Sequence, residues 1–326
     1  MKKKQYHVFN IPTGIGAKIG GFAGDAGAIA RKFAKHFPLI VNPNVVNAAC
    51  FSAISKNMQY VEGYALTEFF KGNISLKPSK NNKIGIIFDR AISKEVLNIH
   101  INTINAIKTV YGINVIGYEI SKKNAGVEFF TTENGISSGR VNNPETLLEA
   151  GKKLIKNGAD VLAVVCKFEE AEEDGYADGE SVDVVGGAEA IISHFLSKEL
   201  CVPVVHAPAF EDYSIKPDLV HPKAAAEYIT PTFLPCLLFG LENAPLIVKG
   251  LKEKFITIND VKSLIMPYNS LGSSIVTNAI KKGIIVMAIK ENSSVLNITK
   301  DTLLLKDGII ETENYFEGFK ILKRLK

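Results

Sequence analysis

Tryptophan is absent from the 326 residues, and cysteine and histidine are scarce, with four and six residues respectively. Cys50, Cys166, Cys201 and Cys236 form no CxxC pair, and the histidines form no HxxxH or HExxH pattern, so the usual zinc spacings are excluded. No apolar run reaches the roughly 18 residues that a membrane-spanning helix needs, and no signal-peptide pattern is present. We therefore expect a cytoplasmic protein in a reducing compartment, with no membrane partner.

Basic and acidic residues are nearly balanced in number. The 38 basic and 34 acidic residues give a net charge of +4, and no basic stripe carries interleaved aromatic residues. We therefore expect no nucleic-acid partner. With 46% apolar residues, the chain can form a sizeable core, and the sequence leaves a homo-oligomer open.

A recurring unit organises the chain. A Gly/Ser-rich turn leads into an amphipathic helix and then a short apolar strand, at residues 14–41, 137–165, 186–205 and 272–289. The strand at 160–165 is continuously apolar, which is typical of strands buried on both faces. This pattern predicts an α/β fold of the doubly wound kind, with a mostly parallel sheet and helices on both faces.

Local signals place individual elements. Asn143 is expected to cap a helix whose first residue is Pro144, and Gly158 is expected to end it. Further helices are predicted at 93–111 and 188–200. Further strands are predicted at 6–11, 83–88, 114–118, 202–205, 261–266 and 283–289.

A polar segment at 75–82 suggests a division into two parts. Residues 1–74 are predicted to form an N-terminal α/β lobe with a Gly-rich turn. Residues 75–326 are predicted to form the main α/β domain, which ends in a small-strand appendage with a hairpin turn at 306–308. The irregular segment 207–243 is long enough to predict a functional loop.

Polar residues follow most of the predicted strands. In open parallel sheets, ligands bind beyond the carboxyl ends of the strands, so these side chains are expected to meet at one cleft. The residues that we predict there on this ground are Asn42, Asn44, His206, Asn269, Ser270 and Asn292.

Two Gly- or Ser-rich turns are candidate anion sites. The first contains Thr13, Gly14 and Gly16, and the second contains Ser138 and Arg140. Position 19 is Ile, so the first turn is not a GxGxxG fingerprint, and it has no GK[ST] ending. The alternative is that both turns serve only for packing.

A denser group of chemical side chains runs from Asp183 to His206. Gly186 and Gly187 are predicted to supply backbone N–H groups, and His194 or His206 to act as general acid/base with Glu189 or Asp183 orienting it. The alternative is that these histidines are ordinary core or surface residues. The cofactor is unknown, and a divalent metal that holds an anionic substrate stays open.

Several strings in the chain resemble a known family. They are Ile11-Pro-Thr-Gly-Ile-Gly, Asn42-Pro-Asn-Val-Val-Asn-Ala-Ala, Tyr60-Val-Glu-Gly-Tyr-Ala-Leu, Gly186-Gly-Ala-Glu-Ala-Ile-Ile-Ser-His, His206-Ala-Pro-Ala and Thr232-Phe-Leu-Pro-Cys. Over nearly its whole length the chain is similar to bacterial and cyanobacterial proteins grouped as domain of unknown function 3326. The resemblance implies no activity and no catalytic residues.

The functional prediction therefore depends only on the candidate site residues and not on the family resemblance. We predict an enzyme, of hydrolase, lyase or isomerase type, that acts on a small anionic metabolite at a strand-end cleft. Arg140 and the backbone N–H groups of Gly14, Gly186 and Gly187 are expected to hold the anion. Two alternatives stay open: a non-catalytic nucleotide or metabolite sensor, and a transferase that uses a phosphorylated co-substrate.

Overall fold

A computed structural model describes residues 4–170, 175–180, 182–215, 218–303 and 307–324. Within these ranges the helices are α1 Gly27–Ala34, α2 Pro43–Val46, α3 Gly63–Lys71, α4 Lys94–Tyr111, α5 Pro144–Lys156, α6 Gly186–Leu200, α7 Ala225–Tyr228, α8 Leu234–Glu242, α9 Ser274–Lys281 and α10 Tyr315–Arg324, with a 3-10 turn at Ile258–Asp260. No helix within those ranges is both long and apolar enough to cross a membrane.

The strands are short and mostly buried. They are β1 Tyr6–Phe9, β2 Leu39–Val41, β3 Asn47–Ala48, β4 Phe51–Ser52, β5 Met58–Tyr60, β6 Ile74–Lys77, β7 Ile84–Phe88, β8 Val115–Ile120, β9 Val127–Thr131, β10 Ser137–Val141, β11 Val161–Lys167, β12 Val204–Ala209, β13 Leu246–Lys249, β14 Val261–Pro267, β15 Ile285–Ile289 and β16 Ile309–Thr312.

Two parallel sheets form the framework. A six-stranded sheet has the order β16-β15-β14-β1-β2-β5, and a four-stranded sheet has the order β12-β11-β7-β8. Every pairing between neighbours in these two sheets is parallel. The predicted α/β fold class with parallel strands is confirmed, but the strands form two parallel sheets instead of the one sheet predicted.

The apolar strands explain why both sheets are covered by helices. All five residues of β7 are buried, as are the first six of β11. A strand that buries both sets of alternating side chains needs cover on each face, and helices supply it. One core cluster contains residues from both sheets, for example Phe9 and Val41 from one and Ile86 and Val165 from the other, and Leu237 of α8 belongs to the same cluster.

Strands from the two ends of the chain share the six-stranded sheet. β1, β2 and β5 come from residues 1–74, whereas β14, β15 and β16 come from residue 261 onward. The predicted division at residue 74 stays a prediction. At the C-terminus, β16 pairs in parallel with β15. Residues 304–306, which include part of the predicted hairpin turn, lie outside the described residues.

Helix ends follow the predicted signals with one correction. Ser93 caps α4 with its side chain, which accepts from the Val96 N–H, and Gly158 adopts φ +98° beyond α5. Pro144 is the first residue of α5 as predicted. Asn143 precedes it, but its side chain does not cap the helix; its Nδ2 donates to the carbonyl of Asn124 at 2.9 Å.

Candidate functional site

A cavity of about 160 Å³ lies at the carboxyl ends of β1, β2 and β12. The segment 12–24 that follows β1, called the glycine loop here, forms one part of its wall. The residues after β2, the start of α6 and the start of α8 form the rest. The strand ends of both sheets thus contribute to one site, as expected for parallel α/β proteins.

The glycine loop presents unused backbone donors to this cavity. Gly14 and Gly16 have positive φ angles of +70° and +54°, which glycine adopts without strain. Ile15, which lies between them, does not have a positive φ. Successive backbone N–H groups in a turn can form a concave nest that binds an anion. Within the described ranges, the N–H groups of Thr13, Gly14, Gly16 and Ala17 make no hydrogen bond to a protein acceptor.

Two buried asparagines hold the ends of the glycine loop. Asn42 accepts from the Ile11 N–H at 3.0 Å and donates to the Ile11 carbonyl at 2.7 Å. Asn292 is fully buried and bonds the N–H and carbonyl of Ile19 in the same two-way manner, at 2.9 and 2.8 Å. Each amide thereby replaces a neighbouring peptide group and fixes the loop against the sheets.

Carboxyl groups line the same cavity. Glu189 of α6 is only 6% exposed, and its Oε1 is buried without a hydrogen-bond partner in the described part of the chain. Burial raises the pKa of Glu189 well above its ordinary value, and the nearby carboxylates of Asp183 and Glu227 raise it further. Both effects favour the protonated, neutral form of this side chain.

Glu227 and Asp183 complete this acidic wall. Glu227 accepts from the Ala23 N–H at 2.7 Å and from the Tyr176 hydroxyl at 2.9 Å. Burial, followed by the charge of Asp183, raises the pKa of Glu227 to about 7. Asp183 accepts from the N–H groups of Val185 and Gly186 at the start of α6, and burial raises its pKa as well.

His206 on β12 is the histidine of the cavity. Its Nδ1 lies 2.7 Å from Oγ of Ser193 on α6. Burial lowers the pKa of His206 to about 3, with a smaller contribution from His194. The ring is therefore neutral at physiological pH, and one of its nitrogens can accept a proton.

Comparison with known proteins assigns the chain to a family. The family described as "Protein of unknown function (DUF3326)" matches residues 6–326. The chain belongs to this family. A Synechococcus protein named as an uncharacterised lipoprotein is 36% identical over 299 residues, covering 89% of this chain and 83% of the relative. No solved structure matches the chain. The resemblance seen in the sequence is confirmed.

The DUF3326 chain brings seven of the predicted site residues to the cavity: Thr13, Gly14, Gly16, Asn44, Asp183, Glu189 and His206. The other predicted residues lie elsewhere. His194 packs against α3, where a Cβ on Gly63 would come within 2.5 Å of its Nε2. Gly186 and Gly187 have no N–H to offer, because these donate to Asp183 and Ser137.

The second predicted anion turn is not a turn into a helix. Ser138 and Arg140 lie on β10, which pairs antiparallel with β9. Arg140 is exposed, with its guanidinium 6.0 Å from the centre of the Phe130 ring, and it does not line the cavity. The strand pairing of this segment thus places both residues outside the cavity.

The polar residues after β14 form hydrogen bonds with the backbone of loops. Asn269 donates to the carbonyls of Ser294 and Leu296, and Ser270 donates to the carbonyl of Pro267 at 3.1 Å. Like Asn42 and Asn292, they hold backbone instead of facing the cavity. A short polar side chain after a strand can form hydrogen bonds either with the backbone of a loop or with a ligand. The sequence does not distinguish these two roles.

The sequence did not single out Glu227 and Tyr176 of the DUF3326 chain as site residues. Glu227 falls in the segment 207–243 that was predicted to be a functional loop, which is the one available signal. Tyr176 stacks on Phe22 of the glycine loop at 4.6 Å. No three His, Cys, Asp or Glu side chains among the described residues are placed to hold a metal ion.

Proposed function

We propose that the chain is an enzyme that moves a proton on a small metabolite bearing an anionic group, in hydrolase, lyase or isomerase chemistry. One observation carries the proposal: a neutral histidine, a buried carboxyl group and a loop of unused backbone donors line the same cavity of about 160 Å³. These are the groups that general acid–base catalysis on an anionic substrate requires.

His206 is the proposed proton acceptor. Its Nδ1 is engaged by Ser193, and its Nε2 has no hydrogen-bond partner among the residues that the structure describes. A ring kept neutral by burial accepts a proton only if the imidazolium that forms is stabilised. The carboxyl groups of Glu189 and Asp183 line the same cavity and supply that stabilisation when ionised.

The glycine loop is the proposed anion site. The N–H groups of Thr13, Gly14, Gly16 and Ala17 can converge on carboxylate or phosphate oxygens without a basic side chain. Among the described residues that line the cavity, none is lysine or arginine. In this proposal backbone N–H groups hold the anion, which is the role that the sequence analysis gave to Arg140.

The size of the cavity limits the ligand. A protein cavity of about 150 Å³ accommodates a molecule of about benzene size, so about 160 Å³ favours a ligand of roughly six to ten non-hydrogen atoms. A nucleotide is much larger. This supports a small-metabolite enzyme over the nucleotide sensor, and over a transferase with a large phosphorylated co-substrate.

A screen for binding and turnover tests the proposal. Small carboxylates, phosphates and amino acids would be screened for thermal stabilisation, and stabilising compounds would then be assayed for conversion by NMR. We expect His206→Ala to lower kcat by about 10²-fold or more for a converted compound. His36→Ala, which alters an exposed histidine on the far side of β1, should leave kcat unchanged.

Other outcomes discriminate the alternatives. Stabilisation without conversion of any compound would support a metabolite sensor and remove the catalytic proposal. Loss of turnover in His194→Ala, with His206→Ala unaffected, would transfer the catalytic role to the histidine that packs on Gly63.

We also propose a cytoplasmic location, no nucleic-acid partner and a small-molecule ligand as the main partner, and we leave a homo-oligomer open. The support for the location is that Cys50, Cys166, Cys201 and Cys236 are all free thiols. Fractionation of cells that express the full-length protein, followed by immunoblotting, tests it, and recovery in the membrane fraction would contradict it.

A further inference from the structure

We infer that the ligand of this cavity carries an ammonium group as well as an anionic group, and is a small zwitterion of the amino acid class. The inference rests on the proposed function only in taking the cavity as the ligand site. It does not depend on whether the bound molecule is converted.

The first support is the unused oxygen of Glu189. The side chain is 94% buried, it lines the cavity, and Oε1 has no partner in the described ranges. A buried polar atom without a partner is costly, and native proteins keep few of them. An ammonium group brings three donors and a positive charge, and the Glu189 carboxyl group, which lines the cavity, can accept from it.

The second support is the charge of the whole wall. The ionisable side chains that face Glu189 from the neighbouring elements are Asp183, Glu227, His206, Cys166 and Cys236. None of them carries a positive charge at neutral pH in the empty cavity, and no lysine or arginine among the described residues lines it. An ammonium group is attracted to whichever of these carboxyl groups is ionised, whereas an anionic group beside them gains nothing from them.

The third support is that donors and acceptors occur together. The glycine loop offers N–H donors, and Glu189 and its neighbours offer carboxyl acceptors, within one cavity of about 160 Å³. A molecule with a carboxylate at one end and an ammonium group close by complements both sets of groups. α-Amino acids of roughly six to ten non-hydrogen atoms have this pattern and this size.

Proton release gives the inference a specific signature. Burial and the neighbouring carboxylates raise the pKa of Glu189 and so favour its protonated form. An ammonium group that binds beside it favours the carboxylate, so the carboxyl proton passes to the buffer as the complex forms. A purely anionic ligand favours the neutral acid and releases no proton.

Isothermal titration calorimetry of the full chain tests this. The twenty common α-amino acids would first be screened by thermal shift. A hit would then be titrated at pH 7 in phosphate and in Tris, beside the matched carboxylic acid that lacks the amino group. We expect at least tenfold tighter binding of the amino acid and a difference between the two buffers that corresponds to proton release.

Variants separate this inference from the catalytic one. Glu189→Gln should weaken amino acid binding at least tenfold and abolish most of the proton release, whereas Glu253→Gln, an exposed change of the same kind, should alter neither. His206→Ala should bind the amino acid with proton release even if it cannot convert it. Equal binding of the deaminated acid, binding without proton release, or no amino acid hit would each overturn the inference.

Discussion

The Nδ1 atom of His206 lies 2.7 Å from the Oγ atom of Ser193, which is also 3.2 Å from the carbonyl oxygen of Ala190 one turn earlier in α6. A serine hydroxyl has one proton to donate. If it is donated to the helix carbonyl, the oxygen accepts from the Nδ1–H of His206, and the Nε2 lone pair is free. Ser193 is thus a positioning residue for the proposed base.

This arrangement predicts the tautomer of His206. We expect nitrogen NMR shifts of selectively labelled histidine to show the neutral Nδ1–H form at pH 7. Ser193→Ala should convert the ring to a mixture of tautomers, because the partner that fixes the proton is gone. An Nε2–H form in the unmodified protein would contradict the assignment. Ser274→Ala, on an exposed part of α9, is the control.

Gly14 should tolerate no side chain. Its φ is +70°, and a Cβ there would lie 2.9 Å from the Cβ of Ser137 and 3.3 Å from its carbonyl oxygen. Gly112 has the same φ but no neighbour within 4 Å of a Cβ, so Gly112→Ala isolates the backbone cost. We expect about 1 kcal/mol of lost stability for Gly112→Ala and about 1–3 kcal/mol more for Gly14→Ala, measured by urea unfolding. Equal losses would indicate that the loop moves freely away from Ser137.

Asn292 should contribute strongly to stability although it binds no ligand in our proposal. Its fully buried amide bonds the half-buried Ile19 twice and donates to the buried Tyr315 hydroxyl at 2.8 Å. Asn292→Ala leaves these groups unsatisfied, and we expect a loss of about 2–4 kcal/mol in urea unfolding. Asn243→Ala, at an exposed asparagine, should stay within about 0.5 kcal/mol of the unmodified protein. A small effect at Asn292 would mean that the glycine loop is anchored by other contacts.

Glu227 should make stability depend on pH. Burial raises its pKa from 4.5 to about 7 in the folded state, so its contribution is fully present below pH 4.5 and is lost as the pH rises through about 7. We compare the unmodified protein with Glu227→Gln, because the other titrating groups are common to both and cancel. Between pH 5 and pH 8, the unmodified protein should lose about 2 kcal/mol of unfolding free energy relative to the variant.

The control for this pH dependence is Glu253→Gln, which makes the same chemical change on an exposed surface. Its stability difference from the unmodified protein should stay constant from pH 5 to pH 8. If the Glu227→Gln difference is constant too, the Glu227 carboxyl is ionised throughout this range, and the acidic wall is more hydrated than its contacts imply.

Sequence patterns predicted the framework well because their causes are local. The continuously apolar run at 160–165 became β11, and Ser93 capped α4 where the pattern placed the helix start. The strand-end rule placed Asn44 and His206 at one cleft, and both line the cavity. The same rule could not tell them from Asn269, whose side chain holds the backbone of a neighbouring loop.

By itself, the sequence determined that buried strands alternate with helices, that they pair in parallel, and that glycines turn the chain after β1. These features depend on periodicity and on backbone freedom within a few residues. Only the tertiary structure decided which polar groups face the ligand. The bond from the Ala23 N–H to Glu227 joins residues 204 positions apart, and Asn292 meets Ile19 across 273. Such contacts follow from how two sheets pack on one core, which no local pattern specifies.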